Sequence, residues 1–466
     1  MFAGMEPRTL QYIAKACAGE QLTGSTDTLV QRVCTDSRQV RAGDVYFALR
    51  GERFDGHDFL KEAMGKDAAA VVLDRQRLPT PAMACGVIAV ENTRQALARL
   101  AAEYRKDFQL PVIAIAGSNG KTTTKELIAS VLRQKLPTLW SEASFNNDIG
   151  VPLTLLRLEP HHEAAVFEVG TNHPGELAPL VAMIQPQFGV ITSIGREHLE
   201  FFENLDGVAQ EEGWLAELLP RTGRLFINGD THCVEKIERR CRGTVVRVGY
   251  GDHNVWRVHA PSVDQRGTSF SVAAPREEFS GEYRVNLPGR HQAVNAALAI
   301  AAGAELGLSA DEIRRGLGSC PPPKMRMQVI DVHGIRILDD AYNANADSML
   351  AALETLSDFP CRGRRIAVLG DMAELGLHTT VAHEEVGRKV AELKIDRLVT
   401  VGTTAALTAR SARAAGMGEV TESRDVSEAA GVIKRFAREG DVILLKASRV
   451  TGFERLRESL SQCFTT

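Results

Sequence analysis

The stretch Val112-Ile-Ala-Ile-Ala-Gly-Ser-Asn-Gly-Lys-Thr122 decides the fold of the central part of this chain. Its first five residues form a continuous apolar run, which is typical of a strand buried on both faces of a parallel sheet. A glycine-rich turn follows, and after it apolar side chains recur at helical spacing, at Leu127, Ile128, Val131 and Leu132. The sequence therefore predicts a buried strand, a tight loop and a helix in direct succession.

The loop in this stretch predicts a phosphate-binding site. Glycines let backbone N–H groups point inward, and the N-terminus of the following helix adds positive potential. Lys121 can reach the β- and γ-phosphates of a nucleotide, and the Thr122 hydroxyl can bind a magnesium ion. The loop is shorter than the usual GxxxxGK[ST] pattern, because Ile115 stands where the first glycine would be. The alternative is a glycine-rich turn that binds nothing, and the strand and helix on either side argue against it.

The pattern of buried strands continues on the C-terminal side of the loop. Strand-like runs occur at residues 164–167, 188–192 and 224–228, and each gap between them is long enough for a helix. This spacing favours a parallel sheet. Residues 250–286 contain short alternating segments that predict antiparallel strands, and a helix is predicted from about residue 291 to 306.

Two further units flank this central one. The proline run at residues 321–323 predicts a domain boundary. Beyond it, buried-strand candidates alternate with amphipathic helical patterns, as in a doubly wound fold; they are residues 365–369, 397–401 and 441–445. On the N-terminal side, two strand-like runs and a helix predict a small α/β unit, at residues 44–49, 68–74 and 93–105.

The length of the chain agrees with this division. The chain has 466 residues, which at about 150 residues per domain suggests roughly three domains. We predict an α/β fold with a small α/β N-terminal domain at residues 1–106. A central P-loop ATPase domain with a parallel sheet would span residues 107–320. A C-terminal doubly wound, Rossmann-like domain would span residues 321–466.

Charge and composition exclude several classes of function. The formal net charge of -4 argues against a protein that binds nucleic acid by neutralising phosphates, so no nucleic-acid partner is expected. No apolar run reaches about 18 residues, and residues 1–8 lack the apolar core of a secretory signal, so no membrane insertion is expected. The eight cysteines are scattered without a CxxC pair, which favours a reduced, cytoplasmic protein with buried thiols.

The phosphate loop and several further motifs together resemble the Mur ligases, which build the peptide stem of bacterial peptidoglycan precursors. Related loops occur in folylpolyglutamate synthetases. The further motifs lie in the order of the family over nearly the whole chain: Asp36-Ser-Arg38, Phe54-Asp-Gly-His-Asp58, Asn146-Asn-Asp-Ile-Gly-Val-Pro152, Glu168-Val-Gly-Thr-Asn-His-Pro-Gly175, Asp339-Asp-Ala-Tyr-Asn-Ala-Asn345, Gly370-Asp-Met-Ala-Glu-Leu-Gly376 and Gly440-Asp-Val-Ile-Leu-Leu-Lys-Ala-Ser-Arg449. The later motifs most resemble the members that add D-alanyl-D-alanine to UDP-N-acetylmuramoyl-tripeptide. The Asp-Asn-Pro-Arg run that marks the diaminopimelate-adding relative is absent from the sequence.

The resemblance implies ATP-driven peptide-bond formation. ATP would phosphorylate the terminal carboxylate of the UDP-linked tripeptide, and the amine of D-alanyl-D-alanine would displace phosphate from the acyl phosphate. Such a reaction needs a clamp on the γ-phosphate, Mg²⁺ to neutralise charge and two aligned substrates. It needs no protein nucleophile. A monomer is expected.

The resemblance also implies roles for individual residues. Lys121, Glu168, His198 and Asn147 are expected to be catalytic, and Ser37, Arg38, Asn146 and Asn147 to bind the precursor. Magnesium would be held by Thr122, Glu168, His198 and Glu212, and a carboxylate such as Glu168 at a strand end that faces a phosphate loop suits this ion. The expected ATP contacts are Gly117, Ser118, Asn119, Gly120, Lys121, Thr122, Thr123, Asn295, Arg326, Asp340, Tyr342 and Asn343. Tyr342 would pack on the adenine face.

One departure from the family pattern concerns magnesium. Many members carry a carbamylated lysine that helps to hold this ion, and it would fall at or near position 212. This chain reads Gly207-Val-Ala-Gln-Glu-Glu-Gly-Trp214 there, with no lysine. Glu212, or its neighbour Glu211, could supply the negative charge from a shorter arm. The alternative is that both are surface residues and that one metal site is weakened or lost.

Other functions remain open at this point. The chain could be another Mur-type ligase with a UDP-linked or folate-like acceptor, although Asp36-Ser-Arg38 argues against a folate substrate. It could be a non-catalytic ATP-binding homologue, since the lysine is missing. A P-loop kinase or motor is disfavoured by the short loop. For the ligase, we expect the C-terminal domain to close on the central one, so that Asn295 and Arg326 meet the same ATP.

Overall fold

The computed structural model describes residues 2–51, 53–78 and 85–463. Within them the strands form three sheets, each built from a continuous part of the chain. The first sheet has six strands in the order β1-β3-β4-β5-β6-β2. Its strands are β1 (Phe2–Thr9), β2 (Glu20–Thr23), β3 (Leu29–Cys34), β4 (Val45–Phe47), β5 (Ala70–Asp74) and β6 (Gly86–Val90), and its helices are α1 (Leu10–Ala16), α2 (Leu60–Met64) and α3 (Thr93–Arg105).

This first sheet confirms the small α/β unit but is larger than the sequence predicts. The two predicted strands correspond to β4 and β5, and the predicted helix to α3. Strands β3 to β6 are parallel, whereas β1 and β2 pair antiparallel at the two edges. Helix α3 begins with a side-chain cap from Asn92 to the Gln95 N–H, and its Tyr104 hydroxyl donates to the Leu158 carbonyl of the central unit. Helix α3 therefore connects this unit to the central one.

The central sheet has nine strands in the order β15-β14-β13-β12-β11-β10-β7-β9-β8. Its strands are β7 (Val112–Ala116), β8 (Thr138–Trp140), β9 (Ala164–Glu168), β10 (Phe188–Ile191), β11 (Arg224–Asn228), β12 (Thr244–Gly249), β13 (Trp256–Asp264), β14 (Gly267–Ala273) and β15 (Gly281–Val285). Its helices are α4 (Lys121–Leu132), α5 (Gly150–Leu155), α6 (Leu177–Ile184), α7 (Leu199–Phe202), α8 (Leu205–Glu212), α9 (Trp214–Glu217), α10 (Val234–Glu238), α11 (His291–Glu305) and α12 (Ala310–Ser319).

The pairing within this sheet confirms two predictions. Strands β7 to β13 all pair in parallel with their neighbours among them. Strands β13, β14 and β15 form the predicted antiparallel segment. Strand β7 is fully buried, because helices cover both faces and β9 and β10 flank it. The chain passes from β7 to β8 and β9 on one side and then to β10 on the other. Ligands of open α/β sheets bind at such a reversal, outside the carboxyl ends of the strands.

The third sheet has six strands in the order β16-β17-β21-β18-β19-β20. Its strands are β16 (Gln328–Val332), β17 (Ile335–Asp339), β18 (Arg365–Gly370), β19 (Arg397–Val401), β20 (Val420–Ser423) and β21 (Val442–Lys446), and its helices are α13 (Ala346–Asp358), α14 (Thr379–Glu392), α15 (Ala405–Ala414), α16 (Val426–Phe436) and α17 (Phe453–Cys463). All neighbours are parallel except the hairpin of β16 and β17. Apolar cores lie on both faces, which confirms the doubly wound unit.

The C-terminal unit contacts the central one around the carboxyl ends of the central strands. Arg196 forms ion pairs with Asp347 and Glu385, and Asn345 Nδ2 donates to Asn119 Oδ1 over 3.0 Å. Among the described residues, no helix is both long and apolar enough to span a membrane.

Candidate functional site

A cavity of about 1030 Å³ lies where the three units meet. Its walls come from α3, from the carboxyl ends of the central strands and from several segments of the C-terminal unit. Fifteen residues predicted from the sequence line it: Ser118, Asn119, Gly120, Lys121, Thr122, Thr123, Asn146, Asn147, Glu168, His198, Asn295, Arg326, Asp340, Tyr342 and Asn343. The structure thus brings together residues that are more than 200 positions apart in the chain.

The phosphate loop forms the floor of this cavity. Gly117 and Gly120 have φ angles of 117° and 89°, which an L side chain rarely adopts. A Cβ on Gly120 would lie 2.6 Å from Asn295 Oδ1, so a larger residue there would displace the Asn295 amide. Helix α4 begins at Lys121 without a side-chain cap. Its first N–H groups therefore remain available to an anion such as phosphate.

Lys121 is surrounded by buried carboxylates. Its ammonium donates to the Gly117 carbonyl and lies 3.4 Å from Glu197 Oε2. Burial opposes the positive charge, but attraction to Glu197, Glu212 and Glu168 raises the pKa of Lys121 above its usual value. The lysine is therefore charged and oriented before any nucleotide binds.

Glu168 ends strand β9 with its carboxylate directed into the cavity. Asn146 Nδ2 donates to Glu168 Oε1 over 2.8 Å, whereas Glu168 Oε2 is buried and accepts no hydrogen bond from any described residue. On the floor, Thr122 Oγ1 accepts a hydrogen bond of 3.2 Å from Arg326 Nη2. An unpaired buried carboxylate oxygen and a threonine hydroxyl that line the same cavity suit a cation.

Glu211 and Glu212 lie at the end of α8 and point in different directions. Glu211 accepts hydrogen bonds of 2.8 Å from the backbone N–H groups of Gly175 and Leu177, at the start of α6. Glu212 is fully buried and accepts a hydrogen bond of 2.7 Å from the Gly117 N–H of the phosphate loop. Glu212, rather than Glu211, therefore contacts the phosphate loop. Neither glutamate is a surface residue.

The surroundings of Glu212 disfavour a negative charge on its carboxyl group. Burial raises the pKa of Glu212 to about 8; the Lys121 ammonium opposes this rise and the Glu197 carboxylate adds to it. Glu212 Oε1 and Glu197 Oε1 are both buried and receive no hydrogen bond from the described residues. At neutral pH the carboxyl of Glu212 is therefore mostly protonated, and a cation bound nearby would favour its ionised form.

The donor set fits a magnesium ion that is bound together with phosphate. In the described ranges, no group of three or more His, Cys, Asp or Glu side chains is arranged to hold a metal ion by itself. Magnesium in nucleotide sites usually keeps several waters and takes one or two carboxylates plus substrate phosphates. Glu168 and Thr122 provide such a partial set.

His198 contacts the C-terminal unit. Its Nδ1 hydrogen bonds to Glu374 Oε2, and this bond lowers the pKa of the Glu374 carboxyl. A second hydrogen bond joins the same two segments, because the Glu200 N–H donates to the Glu374 carbonyl over 3.1 Å. None of the described contacts joins His198 to Glu168 or Glu212.

The start of α11 forms the wall beside Gly120. Asn295 Nδ2 donates to Gln292 Oε1 over 2.9 Å, and Gln292 Nε2 lies 2.9 Å from His291 Nε2. Burial lowers the pKa of His291, so its ring is neutral at physiological pH. These linked side chains form a polar surface. Within it, the bond to Gln292 holds the Asn295 amide in one orientation.

The C-terminal unit contributes a cationic cluster. Arg326 stacks over the Tyr342 ring with its guanidinium carbon 4.0 Å from the ring centroid. Asp340 forms an ion pair of 2.6 Å with Lys446, which also donates to the Asn343 carbonyl over 3.1 Å. In this arrangement Tyr342 supports Arg326, and Asp340 fixes Lys446.

The predicted precursor residues of the first unit do not line the cavity. Ser37 Oγ donates to Glu62 over 2.7 Å, and Arg38 pairs with Asp36 while 82% of its side chain is exposed. Two other predicted residues, Gly117 and Glu212, lie beneath the cavity floor rather than in its lining.

Several lining residues were not predicted from the sequence. Glu197 follows β10 just before His198, so a search for carboxylates after each parallel strand would have found it. Arg94 begins α3 and forms an ion pair of 2.7 Å with Asp148. Because that pair joins different units, no local pattern in the sequence indicates it.

Comparison with known proteins agrees with this architecture. Three family profiles match: "Mur ligase family, catalytic domain" at residues 29–105, "Mur ligase middle domain" at 115–303 and "Mur ligase, glutamate ligase domain" at 325–449. The UDP-N-acetylmuramoyl-tripeptide–D-alanyl-D-alanine ligase of Bacillus subtilis is 34% identical over 98% of this chain and 99% of its own length. The ligase of the same name from Escherichia coli is 35% identical over 97% and 98%.

Solved structures show the same similarity. A crystal structure of MurF from Acinetobacter baumannii superposes with a TM-score of 0.90 and 31% identity, covering 99% of this chain and all of the other. MurF from Thermotoga maritima in complex with ADP superposes with a TM-score of 0.83 and 26% identity, covering 93% of this chain and 97% of the other.

Proposed function

The chain belongs to the Mur ligase family, and from this premise we propose that it joins D-alanyl-D-alanine to UDP-N-acetylmuramoyl-tripeptide. The reaction consumes ATP and releases ADP and phosphate. The observation that carries the proposal is the single cavity in which the phosphate loop, the buried Glu168 and the cations of the C-terminal unit meet. One site can therefore hold the nucleotide, the carboxylate to be activated and the amine that attacks it.

The residues of the floor bind and orient the triphosphate. The N–H groups at the start of α4 and the Lys121 ammonium face the phosphates, and Arg326 reaches the same place from the C-terminal unit through Thr122. These positive groups stabilise the charge that develops as the γ-phosphoryl group moves to the tripeptide carboxylate. Asn295 and His291, beside Gly120, would contact the adenine.

The amides that precede α5 would orient the acceptor. Asn146 is fixed on Glu168, and Asn147 Oδ1 accepts from the Gly150 N–H over 2.9 Å, so both side chains have defined positions in the cavity lining. An oriented acyl phosphate then awaits the amine of D-alanyl-D-alanine, and phosphate leaves. Closure of the C-terminal unit over this site would exclude water, which would otherwise hydrolyse the intermediate.

Magnesium is part of this proposal. Thr122 and Glu168 would hold it, and when bound the ion would neutralise negative charge on the phosphates. His198 and Glu212, the other predicted ligands, form no metal-binding group with Glu168 among the described residues. The contacts support a role for Glu212 through the phosphate loop and Lys121, because it lies beneath the Gly117 N–H. His198 would serve at the junction with Glu374.

The division of labour among the domains is also proposed. Residues 1–106 would bind the UDP end of the precursor through Ser37 and Arg38, residues 107–320 would bind ATP, and residues 321–466 would close the site. The cavity extends to Arg94 at the start of α3, which supports entry of the precursor from the first unit. We further propose that the enzyme acts as a monomer in the cytoplasm, where nucleotide-linked precursors are made.

Phosphate release tests the proposed reaction. The enzyme would be supplied with ATP, magnesium and UDP-N-acetylmuramoyl-tripeptide, and D-alanyl-D-alanine would be compared with single amino acids as the amine. We expect turnover with the dipeptide only. Turnover with a single amino acid would indicate another Mur-type ligase, and ATP binding without turnover would indicate a non-catalytic homologue.

A further inference from the structure

We propose that Lys125 is a positioning residue for the ligase reaction. Its buried ammonium holds the segment 141–147, which presents Asn146 to Glu168, against the helix of the phosphate loop. The inference rests on the proposed function and deepens it, because it names a residue outside the cavity that fixes the geometry inside. Lys125 does not line the cavity, and its ammonium binds Ser141, Ala143 and Glu126, none of which is a predicted site residue.

Lys125 is buried to an unusual degree for a lysine. Its exposed fraction is 0%, and charged side chains are seldom fully buried unless they are paired. The ammonium donates to the carbonyls of Ser141 and Ala143, each over 2.7 Å, and lies 2.8 Å from Glu126 Oε1. Two donors of the ammonium therefore hold one short segment of backbone, and the adjacent Glu126 carboxylate balances its charge.

The segment that Lys125 holds needs support from outside. Ala143 has a φ angle of 46°, a left-handed conformation that is unfavourable for a residue with a Cβ. The segment belongs to no helix or strand, and its internal hydrogen bonds are short-range, from Phe145 N–H to Glu142 and from Asn146 N–H to Ser144. Bonds to the Ser141 and Ala143 carbonyls clamp both sides of the strained turn.

This segment in turn fixes the acidic side of the site. Ser141 Oγ accepts from the Glu168 N–H over 3.2 Å, and Asn146 Nδ2 donates to the Glu168 carboxylate. The Asn146 carbonyl accepts from the Gly170 N–H over 2.9 Å, and a Cβ on Gly170 would lie 2.6 Å from Asn146 Nδ2. The position of Asn146 therefore depends on the position of this segment.

Lys125 therefore connects the phosphate-binding side of the site to its acidic side. It lies one turn after Lys121 on α4, so one helix carries both the lysine that faces the phosphates and the lysine that anchors segment 141–147. Displacing the segment would move Asn146 and the Glu168 carboxylate relative to the phosphates. A small displacement of aligned groups lowers the rate of transfer far more than it lowers binding.

The test replaces Lys125 with methionine, which keeps the length of the chain and removes the donors. Lys135→Met is the matched control, because Lys135 is an exposed lysine just after α4 with one bond to the Gly307 carbonyl. Hydrogen exchange followed by mass spectrometry, ADP affinity and steady-state kinetics would be measured on the full-length enzyme. Lys125→Gln, which keeps a shorter donor, provides a second variant should the methionine variant fail to fold.

In Lys125→Met we expect exchange at residues 142–147 to accelerate about tenfold or more, while residues 112–132 stay protected. We also expect kcat to fall roughly 30-fold or more, with ADP affinity within about twofold of the wild type because the phosphate loop is intact. Lys125→Gln should show the same pattern with smaller changes, and Lys135→Met should match the wild type.

Two results would overturn the inference. One is unchanged exchange at residues 142–147 with kcat close to the wild-type value. The other is exchange that accelerates throughout the central sheet together with a parallel loss of ADP affinity, which would make Lys125 a general stabiliser of the fold. If the wild-type enzyme itself shows no turnover, the proposed function fails, whereas the exchange experiment still reports on Lys125.

Discussion

Glu211 and Glu212 are adjacent in the chain, yet their carboxylates bind groups that differ in function. Glu211 binds backbone N–H groups at the start of α6, and Glu212 binds the Gly117 N–H beneath the phosphate loop and faces Lys121. The sequence could place a carboxylate near this position but could not choose between the two. The choice depends on the direction in which α8 presents each side chain, which tertiary packing sets.

Replacing Glu212 with alanine should impair catalysis more than folding. The Gly117 N–H would lose its acceptor, and Lys121 would lose one of its buried acidic neighbours. The phosphates would then be held less accurately. We expect kcat to fall by about tenfold or more and the magnesium concentration for half-maximal rate to rise. Steady-state rates across a magnesium titration measure both, and an unchanged rate with an unchanged magnesium dependence would contradict this role.

His383 provides a prediction about pH and stability. Its Nδ1 lies 3.0 Å from Thr408 Oγ1, and its Nε2 accepts from the Met372 N–H over 3.3 Å, so the buried ring is held in its neutral form. Burial lowers the pKa of His383 in the folded state. The unfolded chain therefore takes up a proton first, and stability is lost as pH falls below about 6.5.

The measurement is the unfolding midpoint of the wild type and of His383→Gln at several pH values between about 5 and 8. The glutamine variant should be less stable at the upper end, because the fit of the ring is lost. It should also lose less stability on acidification, by up to about 1.4 kcal/mol per pH unit. Parallel curves for the two proteins would show that His383 does not contribute to the pH dependence.

At the scale of the element, long apolar runs were the reliable signal. Strands β7, β11 and β19 begin and end at the predicted residues. Each is flanked by strands on both sides; β7 is a continuous apolar run, and β11 and β19 each have three apolar residues. Strands β1 and β2 were not predicted. They are antiparallel edge strands that contain charged residues and, in β1, Gly4 and Pro7, so their pairing depends on partners that the local pattern does not reveal.

The start of α6 should depend on Glu211. Helix α6 has no side-chain cap from its own N-cap residue, and the Glu211 carboxylate receives the N–H groups of Gly175 and Leu177 instead. Replacing Glu211 with alanine should lower the free energy of unfolding by about 1–3 kcal/mol. Thermal unfolding and kinetics together test this: a loss of kcat comparable to that of Glu212→Ala, without loss of stability, would contradict it.

At the scale of the molecule, the site exists only where the three units meet. Asn295 and Arg326 lie on either side of the proline run at 321–323, and both line the cavity. The resemblance to the family predicted that Asn295 and Arg326 would lie close together. It did not predict the contacts that join the central and C-terminal units. Those contacts are Arg196 with Asp347 and Glu385, and His198 with Glu374. They join residues far apart in the chain, so no local spacing predicts them.

Removing Arg196 should favour an open arrangement. Its guanidinium joins the central unit to α13 and α14, and charged hydrogen bonds of this kind contribute about 1.5–3 kcal/mol. With an ATP analogue and the tripeptide bound, small-angle scattering should show the wild type more compact than Arg196→Ala. The control is Arg257→Ala, whose ion pair with Asp252 lies within the central unit. Equal compaction in Arg196→Ala and wild type would contradict this account.

The central claim is that ATP activates the terminal carboxylate of the tripeptide as an acyl phosphate within this cavity. The most direct test uses UDP-N-acetylmuramoyl-tripeptide labelled with ¹⁸O in that carboxylate, together with ATP, magnesium and D-alanyl-D-alanine. We expect one labelled oxygen per turnover in the released phosphate, because the bond between the acyl carbon and that oxygen breaks when the amine attacks. Phosphate free of the label, released while the peptide bond forms, would contradict it.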